Sequence, residues 1–203
     1  MGIGLTTHSS ELLSSVATSN STGYQLGFFG GREYEFEALI RNDTNTTAFA
    51  YANRDETSTL TTVFADNILR GYWGSMYLGV TFSTTDIVGE LYQQAHLNML
   101  STGVGGNAGI NYPFTKKNSF FLDITSVGAS VTKDMVHVTA GETTTAMGNR
   151  MDISLGAASS LARGWLDFFI GYRQRTFSLS LDSTTSNETV TATLLGLNLH
   201  HTW

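Results

Sequence analysis

The 203-residue chain contains no cysteine, which excludes disulfides, thiol catalysis and thiolate metal sites. It has a single proline, Pro113. Hydrophobic residues make up 41% of the chain, yet no run approaches the ~18 consecutive apolar residues that a membrane helix needs. Charge is scarce as well: 17 acidic against 11 basic side chains leave a formal −6, which argues against nucleic acid as a partner. The start, Met1-Gly2-Ile3-Gly4, lacks a basic segment followed by an apolar core, so no secretory signal is visible; the expectation is that one has been removed.

What the chain does have is glycine, 21 residues of it, with abundant Thr and Ser and a short-period alternation. Side chains of a strand point alternately to opposite faces. Tyr24, Leu26 and Phe28 share one parity, with Gln25 and Gly27 on the other. After Gly30-Gly31-Arg32, Tyr34, Phe36, Ala38 and Ile40 oppose Glu33, Glu35 and Glu37. Val104, Ala108, Ile110 and Tyr112 oppose Gly103, Gly105 and Asn107, and Met151, Ile153 and Leu155 oppose Arg150, Asp152 and Ser154. A half-buried soluble sheet also alternates, but it does not need the same pattern in nearly every strand.

Aromatic residues bunch at four turn-like points: Phe28 to Phe36, Tyr72 to Tyr77, Tyr112 to Phe121, and Trp165 to Phe169. Such bunching predicts an aromatic girdle, carried by Phe28, Tyr34, Phe36, Trp73, Tyr112, Phe120, Trp165, Phe168 and the terminal Trp203. Polar stretches at 11–21, 42–58, 85–96, 133–142 and 181–188 read as longer loops at the opposite end. Four short turns joining eight strands, plus a first and a last strand, predict ten; eight and twelve are the alternatives. Residues 1–203 read as a single domain without repeat or linker.

The last nine residues carry the pattern furthest. Leu195, Leu197, Leu199, His201 and Trp203 form one ridge that ends on an aromatic, with Gly196, Asn198, His200 and Thr202 opposite. This stretch resembles the C-terminal signal of Gram-negative bacterial outer-membrane β-barrel proteins, from which it departs at His201. The resemblance implies an all-β, antiparallel, porin-like transmembrane barrel in the outer membrane, with membrane lipids and the barrel-assembly machinery as partners.

If the apolar face meets lipid, then Glu33, Glu35, Glu37, Asp66, Arg70, Asp123, Arg150, Asp152, Asp167, Arg173 and Arg175 face the lumen, because charge on the lipid face is costly. The expectation is a compact network across a narrow, largely side-chain-filled barrel with a structural or surface role. A small-solute or ion pore is the alternative. A soluble ligand-binding barrel, with the faces inverted and Phe28, Tyr34 and Phe36 lining a pocket, is a further one. The predicted loops hold ten acids (Glu11, Asp43, Asp55, Glu56, Asp86, Glu90, Asp134, Glu142, Asp182 and Glu188) against Arg54 and Lys133. They suit a solvated rim, or capture of divalent cations or a basic extracellular ligand. His8-Ser9-Ser10 and Asp134-x-x-His137 faintly resemble the residues of barrel hydrolases, but no catalytic residues, cofactor or metal are expected.

Overall fold

In the computed structural model, residues 2–10, 15–30, 36–50, 57–91, 95–136, 141–161, 166–181 and 184–199 are described. They form ten strands: β1 (Gly2–Ser10), β2 (Ser15–Gly30), β3 (Phe36–Ala50), β4 (Thr57–Trp73), β5 (Met76–Leu91), β6 (Ala95–Pro113), β7 (Asn118–Val136), β8 (Gly141–Leu161), β9 (Leu166–Leu181) and β10 (Thr184–Leu199). Every neighbour pair is antiparallel, and β1 pairs with both β2 and β10, so the sheet closes into a barrel. Closure leaves no unpaired strand edge.

Two of the connections between consecutive strands are described. Gly74-Ser75 joins β4 to β5 in two residues, and Gly74 takes φ +61°, a left-handed value that glycine adopts without Cβ strain. Residues 114–117 join β6 to β7; the backbone N–H groups of Lys117 and Asn118 donate to Thr115 Oγ1, which holds the bend.

The strands run well beyond their predicted bounds. The stretch 42–58, read as a loop, is mostly β3 up to Ala50 and the start of β4; 85–96 lies largely in β5 and β6. Likewise β2 begins at Ser15, β7 reaches Val136, β8 begins at Gly141 and β10 begins at Thr184. Only 2–6 residues separate consecutive strands at that end, as few as at the other, so the expected contrast of short turns and long loops does not hold. Asp43, Asp86, Glu90, Asp134, Glu142 and Glu188 accordingly sit on strands, while Glu11, Asp55, Glu56 and Asp182 lie outside the described residues.

The difference has a physical reason. Along the strands the two faces exchange character partway up. Near the Gly74 end the outer wall is apolar: Phe36 and Ile40 on β3, Leu69 and Trp73 on β4, Leu78 and Phe82 on β5, Val104 and Tyr112 on β6, and Phe120 and Ile124 on β7 are all exposed. The inward residues at this level include Glu37, Arg70, Asp123 and Asp152. Further along, hydroxyls become frequent on the outer wall, at Thr44 and Thr46, Thr59 and Thr61, Thr84, Thr102, and Ser126, Ser130 and Thr132, interrupted by the exposed Val88, Leu100 and Met147, while the inward face becomes apolar. There Phe49, Leu60, Ile87, Leu97, Met99, Val131 and Phe177 pack as one buried cluster inside the barrel. A strand with hydroxyls outside and a mixed interior reads as a polar loop when only hydropathy is followed.

Candidate functional site

The lumen holds the chemistry, in three layers. The first lies nearest Gly74. Arg70, on β4, places its guanidinium against Asp123 of β7, reaches Glu37 of β3 at 3.3 Å, and donates from Nε to Asn107 Oδ1 of β6 at 2.6 Å. Tyr72 and Tyr77, grouped in sequence with the aromatic girdle, instead turn inward. Their hydroxyls donate to Glu37 and Asp123, each at 2.6 Å, and the Tyr77 ring lies 4.4 Å beneath Arg70. This layer needs glycine at one point: a Cβ on Gly109 would fall 2.2 Å from the Tyr77 hydroxyl.

The second layer is a ladder of guanidiniums and carboxylates. Arg150 donates to Asp66 at 2.8 Å and to Ser83 Oγ at 2.6 Å, and its Nε stands 3.1 Å from Asp152. Arg175 bridges Asp152 at 3.1 Å and Asp43 at 2.6 Å, and Arg173 also holds Asp43, at 2.8 Å. The Phe64 ring sits 4.3 Å from Arg175 and 5.6 Å from Arg150, giving both cations an aromatic face. Arg41 is the odd member. It is 5% exposed, and among the described residues it donates only a long 3.4 Å hydrogen bond, to Gln25, with no partner for its Nη1. The apolar cluster forms the third layer.

Among the described residues, five guanidiniums (Arg41, Arg70, Arg150, Arg173, Arg175) face five carboxylates (Glu37, Asp43, Asp66, Asp123, Asp152) within the lumen. Balance matters here, since an unpaired buried charge costs several kcal/mol. Filling is nevertheless one-sided. Most inward residues of β4 to β8 are almost fully buried, whereas Gln25 and Gly27 on β2 are exposed and the Asp43 and Arg173 side chains retain 20% and 13% exposure. The interior is therefore open beside the packed network at Gln25 and Gly27 of β2, whereas Ala17, higher on that strand, packs against the apolar cluster.

Of the lumen residues expected from sequence, the structure places Glu37, Asp66, Arg70, Asp123, Arg150, Asp152, Arg173 and Arg175 inside. Glu33 and Glu35 lie outside the described residues, and Asp167 is on β9 with its side chain outside them. Two members were missed. Asp43 falls in a stretch whose sequence reads as a loop, and Arg41 shares the parity of Glu37, four residues earlier on the same strand. Girdle positions Phe36, Trp73, Tyr112, Phe120 and Phe168 are exposed on the outer wall. Tyr34, Trp165 and Trp203 lie outside the described residues, as does the Phe28 side chain. Leu195 and Leu197 point outward from β10; the Leu199 side chain and His201 are not described. His8, Ser9 and Ser10 lie on β1 with undescribed side chains, Asp134 lies on β7, and His137 is outside the described residues. No group of three His, Asp or Glu side chains able to hold a metal occurs among the described residues.

No family model and no curated protein matches the chain. Among solved structures, the CymD monoaromatic hydrocarbon channel aligns with all of this chain and 70% of its own length, at 10% identity and a TM-score of 0.43. The Pseudomonas putida toluene transporter TodX aligns with 96% of this chain and 66% of its own length, at 10% identity and a TM-score of 0.37. The chain thus spans about two thirds of each. Likenesses this distant carry no argument about what it does.

Proposed function

We propose that the chain is an integral outer-membrane β-barrel of ten strands that passes small uncharged solutes and is closed to ions at rest. The membrane part of this reading stands on the exchange of faces. A soluble barrel needs a polar exterior over its whole height, but here the lower wall presents Leu78, Phe82, Val104, Ile124, Ile170 and Leu197 outward over charged side chains. Only lipid makes that surface favourable. The closed antiparallel topology and the terminal-strand resemblance support the outer membrane as its location.

The solute path is carried by one observation, the open interior at Gln25 and Gly27 of β2. A barrel serving only as an anchor gains nothing from leaving Gln25 and Gly27 exposed inside its wall. Ions are excluded for two reasons. The charged layers are balanced in number and, Arg41 apart, ion-paired, and the apolar cluster beyond them resists wetting.

Proteoliposome swelling separates the readings. The protein should admit small uncharged solutes faster than empty liposomes do, while showing no steady conductance in planar bilayers. A swelling rate equal to that of empty liposomes would end the transport reading. The second reading, a structural or surface barrel, would then take its place. It is favoured by the Thr- and Ser-rich upper wall, which shields an apolar core that transport does not require.

A further inference from the structure

Beside the packed network, the open interior carries hydrogen-bonding groups that the network leaves unused. Gly23, Gln25 and Gly27 line the inner face of β2, opposite Asp43, Arg41 and Leu39 of β3. Asp43 gives Oδ2 to both Arg173 and Arg175, while its Oδ1 accepts from no described side chain. That second oxygen leans over β2, because a Cβ on Gly23 would stand 2.1 Å from it. Gln25 receives the Arg41 Nε hydrogen bond on Oε1. A guanidinium only donates, so it turns the amide oxygen toward β3 and leaves the amide NH2 unused among the described residues. Arg173 commits Nε to Ser154 and Nη1 to Asp43, which leaves Nη2 without a partner among the described residues. Behind Gln25 stands the unpartnered Nη1 of Arg41, on a residue that is 5% exposed.

We infer that this part of the lumen binds a small polyol through neighbouring hydroxyls. The inference rests on the transport reading above and names the class of solute that reading leaves open. What identifies the class is a charged acceptor set among donors. A hydroxyl both donates and accepts. One hydroxyl therefore donates to Asp43 Oδ1 while its neighbour accepts from the Gln25 amide or from Arg173. An ether only accepts, and leaves the carboxylate oxygen desolvated and unmatched. A hydrocarbon satisfies none of these groups, which costs still more. A zwitterion fares no better, since Asp43 already faces two guanidiniums. Its ammonium and carboxylate would lose their water without gaining a free counter-ion. Gly23 is part of the device: a side chain there displaces the Asp43 oxygen from β2.

Saturation-transfer NMR on the full chain, in micelles of a detergent without hydroxyls, tests the site with xylitol and triethylene glycol as probes of similar mass. Liposome swelling in the same two solutes tests passage. Saturation should pass to xylitol several-fold more strongly than to triethylene glycol or to the zwitterion valine. Gln25→Leu and Gly23→Ala should each raise the xylitol concentration for half-maximal transfer roughly three- to tenfold, as loss of one hydrogen bond predicts. Gln25 is exposed and belongs to no ion pair, so its variant keeps the test decisive should Gly23→Ala fail to assemble. Thr44→Ala, on the outer face of β3 beside Asp43, should change nothing. Equal transfer to xylitol and triethylene glycol, stronger transfer to valine, or unchanged xylitol binding in Gln25→Leu would overturn the site. The transport reading fails separately: xylitol would then bind with this preference, yet swelling in it would match that of empty liposomes.

Discussion

Arg150 shows what a single residue does in this interior. At 2% exposure it is the largest fully buried side chain among the described residues, and it links β8 to Asp66 on β4 and Ser83 on β5 across the lumen. Arg150→Ala should cost roughly 3–5 kcal/mol, because Asp66 and Asp152 are left as buried carboxylates short of a cation. Arg150→Lys should recover only part of this, since one ammonium cannot serve Asp66 and Ser83 as a planar fork does. Denaturant unfolding in detergent micelles measures both, and an alanine variant as stable as the parent would show that Arg175 alone neutralises the pair. Arg41 answers differently. Arg41→Met leaves four guanidiniums against five carboxylates but breaks no direct ion pair among the described residues, so it should cost less than Arg150→Ala.

Each strand is a compound element. On β7, Phe120, Leu122 and Ile124 face outward in the lower part over Asp123 and Thr125, and Ser126, Gly128, Ser130 and Thr132 face outward above over Val127, Ala129 and Val131. One parity thus switches from apolar to polar while the other does the reverse. Lysine at Leu78 or Ile124 should therefore cost about 2–4 kcal/mol, the depth-dependent penalty of charge in hydrocarbon. Lysine at Thr46 or Ser130 should stay within about 0.5 kcal/mol, as at an ordinary water-facing position. Equal costs at the two levels would place the whole wall in one medium. The terminal strand adds its own expectation: Leu197→Asp should lower outer-membrane levels in cells, because Leu197 is outward on β10 and belongs to the ridge that resembles an assembly signal.

For the whole molecule, strand length sets the geometry. The 21 residues of β8 extend about 70 Å along the strand at ~3.3 Å per residue. At the usual barrel tilt that is about 50 Å of height, roughly twice the ~25 Å apolar band of an outer-membrane barrel. The longest strands, β6 to β8, therefore reach beyond the apolar band, carrying part of the apolar core with them. A tag inserted within 92–94 should be accessible on intact cells, whereas one at Lys116-Lys117, in the turn between β6 and β7, should become accessible only after permeabilisation. The reverse labelling would invert the barrel.

Alternation alone determined that the chain is antiparallel β with one charged and one apolar face, because strand period is a property of neighbouring residues. Glu37, Asp66, Arg70, Arg150 and Arg175 were legible as one face for that reason. Local sequence carried no signal for the rest. Asp43 belongs with Arg173 and Arg175, which lie 130 and 132 residues away, and only closure of the barrel brings them within hydrogen-bond reach. Tyr72 and Tyr77 belong to an aromatic cluster at a turn, yet their hydroxyls donate inside the barrel to carboxylates of β3 and β7. The height at which the faces exchange was hidden too. A threonine facing water above an apolar core and a threonine in a loop have the same hydropathy, and only the register of the strands on either side tells them apart.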